Sequence, residues 1–130
     1  MRRGITAALL ALAASGVLVG CSTGPALFEE ARDASDTLPT NVEAEGYDLD
    51  TVRLLGERDG VSYFAARSTA NSREVCIIAH SVEEWVGGCM QEDGLGELYS
   101  AGLGGMRFVP DGAPEREGWD RLHPNLDVRP

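Results

Sequence analysis

Lysine is absent from this chain: all eleven basic side chains are arginine, a compositional bias that carries no mechanism of its own. Histidine is scarce. Only His80 and His123 are present, so a nucleophilic triad has to use one of them, and neither has a recognisable serine or cysteine partner in sequence. The G-x-S-x-G nucleophile motif is missing, as are the calcium loop D-x-[DN]-x-[DN]-G and the third glycine that would turn Gly102-x-Gly104-Gly105 into a phosphate cradle. Basic excess is missing too. A formal charge of -10 repels phosphate backbones and argues against nucleic acid as a partner. No apolar run reaches the roughly 20 residues that a spanning helix needs, because the longest, over 5–19, is interrupted by Thr6, Ser15 and Gly16. Internal repeats and coiled-coil heptads are not found, and nothing calls for a cofactor.

What is present is concentrated at the start. Arg2 and Arg3 followed by the short apolar run over 5–19 have the form of a secretory signal. The run closes on Leu18-Val19-Gly20-Cys21, which resembles the lipobox of bacterial lipoproteins. That resemblance implies that a diacylglyceryl group is added to the sulfur of Cys21, that the signal over 1–20 is cut away, and that the mature chain begins at a lipidated cysteine. It further implies palmitate-class acyl chains and a place on the extracytoplasmic face of the cell membrane, with the membrane itself as first partner. An ordinary secretory signal ending near Ala13-Ala14 would leave Cys21 as an odd exposed thiol, a liability outside the cell. Two acyl chains anchor stably where one binds only marginally, each buried methylene contributing about 0.8 kcal/mol.

Maturation before Cys21 removes Arg2 and Arg3 and no acid, moving the formal charge from -10 to -12. The remaining length suits one small domain. Residues 26–33, preceded by Pro25 and carrying Glu29 and Glu30, predict a short helix. Residues 35–46 are polar, contain Pro39 and lack periodicity, so 21–46 reads as a lipidated tether and flexible spacer. The folded domain is expected over 47–130. Its strand-like stretches at 51–55 and 61–67 flank Asp59-Gly60, a hairpin signal, with Val61, Tyr63 and Ala65 on one face. A third strand over 74–79 is apolar on both faces and is expected to be central. A second hairpin is predicted from 98–100 and 106–109, and a last strand over 126–128.

Cys76 and Cys89 are the strongest constellation in the mature domain. In an oxidising compartment two remaining cysteines of a small domain predict a disulfide, with Trp85 packed on the bridge or the sheet. The alternative takes Cys76, His80, Cys89 and His123 as zinc ligands; the donor count is right, but Cys-x3-His-x8-Cys is not a recurring zinc spacing. His80 reads as a structural residue at a strand end, His123 as part of an exposed turn before Pro124. The carboxylate pairs Glu83-Glu84, Asp48-Asp50 and Glu115-Glu117 offer acid–base chemistry only if two face each other across a cleft, which sequence adjacency does not establish. Of Tyr63, Phe64, Trp85, Tyr99, Phe108 and Trp119, about four or five are expected to be at least half buried.

Asp36-x-Leu38-Pro39, Val52-Arg53-Leu54-x-Gly56 with Asp59-Gly60, Val75-Cys76, Trp85 ahead of Cys89, and Val109-Pro110-Asp111-Gly112 follow one another in an order that resembles small actinobacterial lipoproteins of unknown function. Trp119-x-x-Leu122 and Asn125-x-x-Val128 continue it. The resemblance supplies no activity. The expectation is therefore a mainly β fold, α+β only if the signal and tether helices are counted, built as a small antiparallel meander with one disulfide. The expected role is a non-catalytic binding or interaction module with a protein or cell-envelope partner. The alternative is an extracytoplasmic hydrolase acting on wall or sugar polymers through paired carboxylates.

Overall fold

The computed structural model describes residues 24–130; the predicted signal over 1–20 and the predicted lipid-attachment residue Cys21 lie outside the described residues. Alternating apolar and polar positions build two four-stranded antiparallel sheets, with 47% of the described residues in strands and 3% helical. The first sheet is a meander of β1 (Tyr47–Arg58), β2 (Val61–Ser68), β3 (Glu74–His80) and β4 (Trp85–Gln91) in sequence order. The second holds β5 (Leu98–Ser100), β6 (Gly104–Phe108), β7 (Asp120–His123) and β8 (Leu126–Arg129) in the order β5-β6-β8-β7. The sheets pack face to face, β1 over β7, β3 over β6 and β4 over β5.

Local chemistry explains the first hairpin. Asp59 and Gly60 both have positive φ, 52° and 77°, the backbone of a two-residue turn whose twist matches the strands it joins. Beyond it, the period of two divides each strand between two cores. Tyr63 and Ala65 of β2 and Val75, Ile77 and Ala79 of β3 point between the sheets, where they meet Met106, Phe108, Leu126 and Val128. Phe64, Ala66, Cys76 and Ile78 point the other way, into a second cluster on the outer face of the first sheet. β3 is thus central and apolar on both faces, as its sequence predicts.

The stretch read as a spacer is the cover of that outer face. Val42 is 6% exposed and packs with Val52, Phe64 and Ile78, and Leu38 packs beside them. Asp36, 6% exposed, receives the amides of Leu54 (2.8 Å) and Asp33 (2.9 Å) on its two carboxylate oxygens. Covering an apolar sheet face needs only a few well-placed side chains, which leave no periodic signature. The folded unit therefore includes residues before Tyr47. The predicted tether helix is reduced to a single 3-10 turn, Ala26–Phe28, consistent with the marginal stability of so short a helix in isolation. β4 and β7 are strands that the sequence reading does not predict, and they turn the expected single meander into a two-sheet sandwich.

The strands give the sandwich two ends. Residues 24–28, the β2–β3 and β4–β5 connections and Asp111 gather at one, the entry end. The β1–β2, β3–β4 and β5–β6 turns gather at the other, the far end.

Candidate functional site

At the far end, the β1–β2 turn, the β5–β6 turn and the last residues of the chain enclose a cleft of about 390 Å³. Tyr63, on the inward face of β2 and 5% exposed, lines it together with Arg58, Asp59, Arg129 and the backbone of Gly102 and Gly104. Burial raises the Tyr63 phenol above its ordinary pKa, with Arg58 opposing and Asp59 adding to the shift, so it is a neutral hydroxyl donor at physiological pH. Arg58 is steered by Asp120 at 2.9 Å and approaches Asp59 at 3.6 Å, and the first pair ties β1 to β7. Arg129 lies over the Trp119 ring at 4.4 Å. Asp59 is the only carboxylate side chain among the lining residues. The cleft therefore offers guanidinium, phenol and backbone donors to a polar ligand, and its lining side chains do not pair an acid with a base across the opening.

Next to the cleft, the outer face of the second sheet carries a buried ionic network. Asp127, 1% exposed, accepts from Arg107 through Nη2 (2.6 Å) and Nε (3.1 Å), and from Arg121 Nε at 2.5 Å. Arg121 also donates to the carbonyls of Ala113 and Pro114, both at 3.1 Å, and Arg107 lies 5.4 Å from the Trp119 ring. The network thereby pins the long β6–β7 connection to the sheet. Asn125 completes the corner by donating to Val109 O and to Asp111 Oδ1.

Cys76 and Cys89, directly opposite each other on β3 and β4, form the predicted disulfide. Both thiols of the zinc alternative are consumed by that bond. His80 hydrogen-bonds Asn41 at 2.9 Å, and among the described residues no group of three or more His, Cys, Asp or Glu is placed to hold a metal. His123 differs from expectation: it is half-buried on β7, and its Nδ1 accepts the amide of Asn125 at 3.0 Å. Burial lowers its pKa below 6.5, against the pull of Glu30 and Asp111. Asp48-Asp50 on β1 and Glu115-Glu117 in the β6–β7 connection are not among the cleft's lining residues, and Glu83-Glu84 sits in the β3–β4 turn beside it. Glu84 touches Gly102 at the cleft's rim. Of the six aromatics considered for the core, five are at least half buried, Trp85 packing on the outer cluster that contains Cys76, while Tyr99 is 65% exposed.

No family model, curated protein or solved structure matches the chain. Tyr63, Arg58 and Arg129 were not singled out as a group in sequence, because their convergence depends on how two sheets stack. Asp127 had a faint signal: the alternation Leu126-Asp127-Val128 places an acid between two inward-facing apolar residues.

Proposed function

We propose that this protein is a lipoprotein held through Cys21 at the extracytoplasmic face of the cell membrane, where its β-sandwich acts as a binding or interaction module. The observation that carries this reading is Leu18-Val19-Gly20-Cys21 at the end of a short apolar run behind Arg2 and Arg3. The Cys76–Cys89 bridge supports it, since structural disulfides persist in oxidising compartments. The far-end cleft supports a binding role, since its lining side chains supply guanidinium and phenol donors and one carboxylate, Asp59, with Glu84 at the rim.

Replacing Cys21 by Ala tests the anchor. The variant is expected to fold normally, to lose incorporation of labelled fatty acid and to keep residues 1–20; continued labelling overturns the anchor. Pull-down from membranes with the lipidated protein, compared with a Tyr63→Phe, Arg58→Ala variant, tests the module. Retention of a partner that the variant loses supports it. Turnover of a wall or sugar polymer that disappears when one carboxylate is changed would establish the hydrolase alternative in its place.

A further inference from the structure

The fold is fixed from its first described residue. Gly24 lies against the guanidinium of Arg67, so close that a Cβ there would overlap Nη2. The Ala26 amide donates to Asp111 Oδ2 at 2.9 Å, Leu27 is 4% exposed in the core, and Phe28 lies under Arg67 at 4.7 Å. Arg53 then grips the carbonyls of Phe28 (3.2 Å) and Glu30 (2.7 Å) from β1. Arg67 itself is held by Glu92 at 3.0 Å and by Ser72 O at 2.7 Å. Between Cys21 and Gly24 there are only three residue steps, which reach at most about 11 Å when fully extended.

We infer that the entry end of the sandwich sits directly on the lipid surface that holds Cys21, with the far-end cleft turned away from it. This rests on the proposed acylation of Cys21 and adds the orientation that the short connection imposes. A freely rotating domain needs a connector comparable to its own size, and the strands alone separate the two ends by about 20–25 Å. The β2–β3 and β4–β5 connections share the entry end with Gly24, and the second of these carries Leu95, 85% exposed, within reach of the interface. Arg67 and Arg73 are balanced there by Glu92, Asp93 and Asp111, so the rim adds no electrostatic attraction to anionic lipid. The acyl chains hold the protein and the short connection sets its orientation.

Two single-cysteine labels read this orientation in the acylated, oxidised protein, where Cys76 and Cys89 are bonded and Cys21 carries lipid, so the introduced thiol alone reacts. Ser72→Cys places a fluorophore at the exposed entry end; Val82→Cys, at a position 96% exposed, places one in the β3–β4 turn at the far end. In phosphatidylcholine vesicles containing a headgroup-nitroxide lipid, the label at position 72 should be quenched several-fold more than that at 82. A long Gly-Ser insert between Thr23 and Gly24 should erase the difference. Equal quenching at the two sites, with acyl mass present on the Cys21 peptide, overturns the seating and leaves the lipoprotein reading intact. A Cys21 peptide without acyl mass overturns both.

Discussion

On the outer face of the first sheet, Phe64, Ala66, Cys76 and Ile78 are apolar and lie under a cover of Leu38 and Val42. On the outer face of the second sheet, Arg107, Arg121, Asp127 and Trp119 occupy the equivalent positions, and charge-assisted hydrogen bonds replace apolar contact. A small domain has too little interior to bury both faces in the same way. The first face gains stability from area removed from water and depends on chain supplied from outside the sheet. The second depends on complete pairing, because a charge withdrawn from water is tolerated only while its partners remain.

The largest expected effect breaks the second face. Asp127→Ala leaves Arg107 and Arg121 facing each other around an empty acceptor, and should cost about 3–5 kcal/mol, read as a shift of the urea midpoint. An unchanged midpoint would mean that the network is solvated in solution. On the first face, Cys76→Ala opens the cross-strand bridge and should cost about 3 kcal/mol, while leaving Cys89 open to alkylation. Val42→Ala, which thins the cover by two methyl groups, should cost about 2 kcal/mol. If residues 35–46 were a loose spacer the same change would be silent, so this variant separates cover from tether.

The smallest effect belongs to the β7–β8 corner. His123 has a folded pKa below the ordinary 6.5 because it is buried. The unfolded chain therefore binds its proton first as the pH falls, and the stability tied to the neutral ring is complete above about pH 6.5 and declines below it. Thermal midpoints measured from pH 8 down to pH 5 should fall, and His123→Gln should flatten that part of the decline. A slope identical in the variant would assign it to other groups.

Legibility in the sequence followed the range of the interactions. Asp59-Gly60, the alternation in 61–67, the doubly apolar 74–79 and the pairing of the two cysteines are local or compositional signals, and each is found in the structure. β4 was hidden by Gly87 and Gly88, which lower strand propensity. Gly87 leaves room for the Tyr47 hydroxyl, which rests where a Cβ would be. The roles of Asp36, Arg53 and Asp127 were hidden for a different reason. Their partners are brought close by the stacking of layers, and a buried charge with distant partners looks in sequence like any surface charge. The far-end cleft is of the same kind, since Tyr63 and Arg129 meet only after both sheets are in place.

The most direct test of the account is the intact mass of the protein recovered in detergent from the cells that make it, without reductant. The expected species begins at Cys21, carries the diacylglyceryl group on that sulfur, and weighs two hydrogens less than the reduced form because Cys76 and Cys89 are bonded. A chain that still carries residues 1–20, or a Cys21 sulfur without lipid, would contradict the anchor and the orientation drawn from it.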